Sequence, residues 1–378
     1  MHSLPTFKLE EYFAEWEFKS RYLLSSSDVE TLSLEQLLAT ANDEDRQLFH
    51  SLKLGYTETR GHPLLLQQIA LLYEKMQPDH ILTAAGAEEA IYAFFRAVIS
   101  PGDEVIVFTP AYQSLRDVPA SLGAAVVEIA LHESRGWRPS MDEVIGKINS
   151  KTKCIVLNFP NNPTGSLLTL DELEMIVAKA RQWGVYIFSD EVYRLLERDT
   201  QKRLPAVCDL YERGVSLSVM SKAFGLGGLR IGWLASQDKA LLARVNGVKH
   251  YLSICNSALS EIIAMIALKA KESILARASG IIQENYPLLQ NFFKRHMDRF
   301  SWVEPSGGCI AFPRLLQGQS DRFCKSVLEN TGVLLLPGEA YKMPGGYFRI
   351  GFGRANFKEA LAHLEEFLIN HREQSWKI

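Results

Sequence analysis

The feature that most constrains this chain is an alternation of two hydrophobic rhythms. Between residues 81 and 235 lie seven short apolar runs, at 81–83, 104–108, 124–129, 153–158, 185–189, 215–220 and 231–235. Amphipathic stretches of helical period lie beside or between them, at 64–75, 87–99, 113–122 and 170–183. Strand after helix after strand requires crossover connections, which place strands parallel with helices on both faces. The expected fold is α/β: a mainly parallel seven-stranded sheet sandwiched by helices. From residue 257 to about 300 the rhythm becomes one long helical stretch. Runs at 308–312, 333–336 and 347–352 follow, then a helix at 358–370. Strands and helix outside the alternation suggest a smaller α+β unit. With 378 residues the chain exceeds the usual single core. The expected division is a segment 1–50 packing on the small domain, a large domain 51–275 and a small domain 276–378.

Composition narrows the function by exclusion. Net charge is −3 at neutral pH, which suits neither a nucleic-acid partner nor an anionic membrane surface. Five cysteines are scattered without a CxxC pair, so reduced thiols are expected rather than disulfides or a metal site. The opening MHSLPTFKLEEYF has no basic stretch leading into an apolar core, so no secretory signal is expected and a cytoplasmic location is. Familiar motifs fail on inspection. Gly225-Leu-Gly227-Gly-Leu-Arg230 lacks the third glycine of a dinucleotide fingerprint, and Ile148 follows Gly146-Lys147 where a phosphate loop needs serine or threonine. Gly214-Val-Ser216-Leu-Ser218 lacks the closing glycine of a nucleophile elbow.

Four other segments carry chemistry together. They are Asn158-Phe-Pro-Asn-Asn162-Pro-Thr-Gly165, Ser189-Asp190-Glu-Val-Tyr193, the stretch from Ser221-Lys222 through Arg230 to Trp233, and Phe348-Arg349-Ile-Gly-Phe352. Three sit just past expected strands, at the sheet edge where ligands bind in open parallel sheets. Lys222 follows an apolar run and precedes glycines, a setting that can depress a lysine and make it an amine nucleophile toward an aldehyde. The alternative is a lysine that pairs with an anion at a glycine-rich turn. Asp190 ends an apolar strand, where a carboxylate is costly without a cation. A pyridinium nitrogen is one such cation, and capping of a following helix is the other use. Asn162 and Tyr193 can donate to a ring oxygen, although Asn-Pro-Thr-Gly is also ordinary turn chemistry. Gly86-Ala87-Glu88 opens a helix whose N–H groups could take a phosphate, or is a plain turn. Arg230 could join that phosphate, and Arg349 could clamp a carboxylate or form a surface ion pair.

These motifs, in their order and spacing, resemble the class I/II aminotransferases, the fold-type-I enzymes of pyridoxal 5′-phosphate (PLP). The resemblance runs from about residue 53 to residue 370. It implies PLP held as a Schiff base on Lys222 and Asp190 on the pyridine nitrogen. It places Asn162 and Tyr193 on the ring oxygen and Tyr112 stacked on the ring. Gly86, Ala87, Glu88, Ser221 and Arg230 would surround the phosphate, and Tyr56 would reach the partner subunit's phosphate. Arg349 and Asn162 would take the substrate carboxylate. It further implies a homodimer with active sites at the interface, and amino acid and keto acid substrates. Two departures stand out. Val219 occupies a position where the family often has a hydroxyl for the phosphate, so either Ser221 carries that contact or the phosphate site is weaker by one hydroxyl. The usual N-terminal segment with its glycine is replaced by Glu15 to Asp28. That segment, His250-Tyr-Leu-Ser and Pro305 to Arg314 are similar to the capreomycidine synthase branch, whose members use PLP for elimination and ring closure. Transamination is therefore the first expectation. PLP-dependent elimination, replacement or cyclisation is the alternative, and a non-catalytic PLP-binding protein ranks below both.

Overall fold

In a computed structural model, residues 3–371 are described. The alternation gives β1 (Ile81–Ala84), α1 (Ala87–Val98), β2 (Glu104–Thr109), α2 (Gln113–Ser121), β3 (Ala125–Ala130), β4 (Thr152–Asn158), α3 (Leu170–Trp183), β5 (Tyr186–Asp190), β6 (Gly214–Val219) and β7 (Gly232–Ala235). They form the expected seven-stranded sheet, in the order β1-β7-β6-β5-β4-β2-β3. All neighbours from β6 to β3 are parallel, and β7 is antiparallel to both β1 and β6. Central strands covered on both faces need no polar alternation, and every residue of β5 is buried. On one face α1 presses Phe94 and Phe95 onto Phe188, with ring centroids 4.5 and 5.4 Å apart. Register then aligns the carboxyl ends: Asn158 lies beside Asp190, and Asp190 beside Leu217.

Two expected helices end differently. The stretch 64–75 is helical only over Pro63–Ala70. The Asp209 carboxylate takes the N–H groups of Glu74 and Lys75 at 3.1 and 2.8 Å, which pulls that turn out of the helix. The stretch beyond 257 is two helices, α4 (Ala258–Lys269) and α5 (Lys271–Arg295), that meet at Ala270.

The C-terminal strands are short. β8 (Ile310–Ala311), β9 (Leu336–Pro337) and β10 (Phe348–Gly351) make an antiparallel sheet with β10 in the centre, and α6 (Phe357–Asn370) follows. The expected run at 333–336 is divided, because Val333–Leu334 pairs instead with Tyr22–Leu23. From there residues 24–30 run as a strap along β10. Gly351 N donates to Leu24 O at 2.6 Å, and Glu30 N donates to Gly353 O at 2.8 Å. The N-terminal helix, Lys8–Trp16, lies near this strap, with Tyr12 Oη donating to Leu335 O at 2.9 Å. Among the described residues no helix is long and apolar enough to cross a membrane.

Candidate active site

The ends of β4, β5 and β6, the start of α1, the strap and the N-terminal helix enclose a cavity of ≈ 400 Å³. Lys222, Asp190, Asn162, Tyr112, Ala87, Glu88, Ser221, Arg230 and Arg349 all line it. The sequence scatters these residues over more than 260 positions; one edge of the seven-stranded sheet gathers all but Arg349, which β10 of the C-terminal sheet brings to that edge.

Asn158 ties two of the segments together. Its Oδ1 accepts from Asn162 N at 2.9 Å, and its Nδ2 donates to Asp190 O at 3.1 Å. The Asn-Pro-Thr-Gly segment is also a turn, with Thr164 N and Oγ1 both on Asn161 Oδ1 at 3.2 and 2.7 Å. Turn chemistry and site chemistry coexist, since the turn is what fixes Asn162. Asp190 Oδ1 accepts from Val192 N at 3.2 Å, and no other hydrogen bond to its carboxylate is present among the described residues. Burial is the main reason its carboxyl is pushed up to about 7. Neighbouring Glu191 faces away from this chemistry. Its Oε1 accepts from Val207 N and Ser216 Oγ and anchors the loop.

Lys222 is the amine at the centre. Its Nζ donates to Ser27 Oγ at 2.9 Å and lies 6.0 Å from the Tyr193 ring centroid. Burial pushes it below the usual lysine range, against the pull of the Asp28 carboxylate. Tyr193 Oη is buried with no hydrogen-bond partner of good geometry. At the start of α1 no side chain caps the helix. Gly86 has a φ of 88°, and a Cβ there would collide with the Arg230 guanidinium. The glycine thus admits Arg230 to an open helix N-terminus, a setting suited to an anion.

Arg349 is 1 % exposed, which excludes a surface ion pair. Its Nε and Nη2 both donate to Ser25 O, at 3.2 and 2.6 Å. Its Nη1 donates to Tyr341 Oη and Asn162 Oδ1, at 2.5 and 3.2 Å. A carboxylate that takes the Nε and Nη2 pair together displaces the Ser25 carbonyl. Tyr112 Oη donates to Glu10 Oε1 at 2.9 Å, and Glu88 Oε1 accepts from Ser114 Oγ at 3.0 Å. Glu88 can therefore serve an anion through its backbone N–H and not through its carboxylate. Val219 presents an apolar wall in the same cavity. Tyr56 is not brought in: it is 92 % exposed and absent from this cavity's lining. Motif reasoning missed Ser25, Ser27, Asp28, Glu17, Phe13 and Tyr341. The only signal for the first four was the departure of residues 15–28 from the usual segment, and nothing local marked Phe13 or Tyr341.

The residues present fit PLP. A buried carboxylate awaits a cation, a buried phenol awaits an acceptor, an uncapped helix start with Arg230 awaits an anion, and a depressed amine stands among them. Comparison with known proteins agrees. The model of the family described as aminotransferase class I and II matches residues 22–364. Aspartate aminotransferase of Thermotoga maritima is 32% identical over 326 residues, 84% of each chain. Capreomycidine synthase of Streptomyces vinaceus is 29% identical, over 98% of this chain and 95% of that one. A solved PLP-dependent aminotransferase from Streptococcus suis superposes with a TM-score of 0.92 at 31% identity, over 98% of this chain and 100% of its own. A solved PLP-dependent cyclase superposes with a TM-score of 0.90 at 25% identity, over 98% of both chains.

Proposed function

The chain belongs to the aminotransferase class I and II family, with pyridoxal phosphate as cofactor, and from that premise we propose that it moves an amino group between an amino acid and a 2-keto acid. When bound, the cofactor supplies an aldehyde that takes an amine and a ring that withdraws electrons from the substrate α-carbon. Arg230, Ser221 and the first N–H groups of α1 would hold the phosphate, and Gly86 leaves room for the guanidinium. Asp190 would keep a proton on the ring nitrogen. Asn162 and Tyr193 would donate to the ring oxygen, and Tyr112 would cover the ring. The substrate carboxylate takes over the Arg349 donors now on Ser25 O, beside the Asn162 amide. Lys222 would supply the amine that carries the aldehyde and would take the substrate α-proton and return it. Tyr56 serves the partner subunit's phosphate in a cytoplasmic homodimer.

The observation that carries this reading is the shared cavity of the Lys222 amine and the underpaired Asp190 carboxylate. The test is optical and chemical. Purified protein is expected to show a visible cofactor band that amino donors shift, with one keto acid formed per band shifted. A spectrum unchanged in Lys222→Ala would sink the assignment.

A second reading is elimination, replacement or cyclisation on an amino acid. One comparison favours it: capreomycidine synthase matches over 98% of the chain where the aspartate aminotransferase matches over 84%. Both reactions would begin with transfer of the substrate α-proton to the Lys222 amine. A panel of amino donors separates them, because only transamination leaves keto acid and the pyridoxamine form in equal amounts.

A further inference from the structure

We propose that Ser27 is a positioning residue for the Lys222 amine, delivered by a strap that the C-terminal strand holds against the lysine loop. The inference rests on the assignment of Lys222 as the reacting amine. Ser27 Oγ is the one hydrogen-bond acceptor of Lys222 Nζ among the described residues, at 2.9 Å. It reaches the amine from 195 positions away in sequence, so its place depends wholly on how the strap is held.

The strap is held on every side. Gly351 N donates to Leu24 O, Arg349 Nη2 to Ser25 O and Glu30 N to Gly353 O, at 2.6, 2.6 and 2.8 Å. Arg354 Nη2 grips both oxygens of Asp28 at 3.0 and 2.9 Å, and Arg277 Nη1 donates to Glu30 O at 2.8 Å. Three glycines give the strap its channel. A Cβ at Gly351, Gly353 or Gly225 would collide with the backbone oxygens of Ser26, Asp28 and Glu30 respectively. The Ser27 hydroxyl is thus located by contacts before and after it, and its ordering cost falls on folding rather than on catalysis.

A lysine amine on a four-carbon stem rotates freely about its last bond. One fixed acceptor sets an N–H direction and hence the direction of the lone pair that must meet the substrate proton. Other groups around the amine act through charge alone. Asp28 of the strap and Asp190 of β5 favour the cation and Arg349 of β10 opposes it, while burial pushes the Cys309 thiol up to about 12 and keeps it uncharged. Glu17, just past the end of the N-terminal helix, also feels the Lys222 charge. Asp28 is already committed to Arg354, so it tunes the amine without touching it. Ser27 also borders Tyr193, whose hydroxyl is otherwise unpaired. The strap therefore links the amine, the phenol and, through Ser25, the carboxylate-binding arginine.

The test reads the amine directly. Cofactor is stripped from the full chain, pyridoxal phosphate is added back, and the rate of growth of the visible band is followed against pH. Only the neutral amine adds to the aldehyde, so the midpoint of the rate profile reports Lys222. An acceptor favours the cation over the neutral amine, so its loss lowers that midpoint. In Ser27→Ala the midpoint is expected to fall by about one pH unit, the scale of one charge-assisted hydrogen bond. Ser27→Thr, which keeps the hydroxyl, is expected to return it to the wild-type value. An unmoved midpoint in Ser27→Ala, or equal displacement in both variants alongside a lowered melting temperature, overturns the proposal. A wild-type chain that forms no band overturns the Lys222 assignment itself, and a normal wild-type band separates the two failures.

Discussion

At Asp190 a single carboxyl sits 4 % exposed at the end of a buried strand, with one backbone N–H for a partner. Burial, reinforced by the nearby Glu88 charge, pushes its pKa up to about 7 from an ordinary 3.8. The sign follows. A carboxyl raised on folding adds no cost below its unfolded pKa, and stability is lost as pH rises toward and through 7. In the cofactor-free chain Asp190→Asn is therefore expected to be stabilising at pH 8, on the order of 2–4 kcal/mol, and nearly neutral at pH 4. Melting curves at both pH values check this, and a difference that does not grow with pH would count against it. With pyridoxal phosphate present the order should reverse, because the carboxylate then has its cation. Arg349 gives a second residue-scale prediction. Arg349→Lys removes the planar fork and leaves Ser25 O and Asn162 with a point charge. KM for the amino donor is expected to rise by about 10–100-fold, with the cofactor band and its pH midpoint retained.

At the scale of elements, the site is a set of strand ends and one helix start, and this is why so much of it was legible. A parallel strand covered on both faces must be apolar until it stops, so Asn158, Asp190 and Lys222 mark where the runs ending there meet a ligand edge. Gly86 marked the start of α1 in the same way. Its φ of 88° and the guanidinium beside it make Gly86→Ala strained on two counts. The expected result is a cofactor dissociation constant raised at least about 10-fold with the sheet intact, read by equilibrium titration and circular dichroism. The strap was illegible. Ser25-Ser26-Ser27 has no period, and its meaning comes from Gly351, Gly353 and Arg354, more than 300 positions away. The premature end of the helix at Ala70 was hidden for the same reason, because the competing carboxylate of Asp209 is distant in sequence. Gly351→Ala tests the strap as an element. Its Cβ would meet the Ser26 carbonyl, and a melting loss of about 2–4 kcal/mol is expected, with faster proteolysis near residues 20–30.

At the scale of the whole molecule, one face remains unexplained by a single chain. Leu54, Tyr56 and Tyr251 are 84 %, 92 % and 92 % exposed, which is costly for large apolar groups in water. Their loops lie together, since Lys249 Nζ donates to Thr59 O at 2.8 Å. The second loop also touches the start of α1, where Ser253 N donates to Glu89 Oε1 at 3.1 Å. The exposed face is thus tied to the same helix start that is proposed to hold the phosphate, and a second copy seated on this face is the proposed route for Tyr56 to that helix. If Tyr56 acts across a two-fold interface, its loss and the loss of Lys222 must complement each other. A dimer of one Tyr56→Phe chain and one Lys222→Ala chain contains one site with an intact lysine and an intact tyrosine, and one site with neither. Coexpression of the two variants is then expected to restore roughly a quarter of wild-type activity at limiting cofactor, from random assortment into two-fold dimers. If Tyr56 served its own chain, every site in the mixture would lack one of the two groups, and the mixture would do no better than the Tyr56→Phe chains it contains. Sedimentation of the same mixture, giving a dimer rather than a monomer, has to accompany the recovery, because complementation between sites is possible only where two chains share an interface.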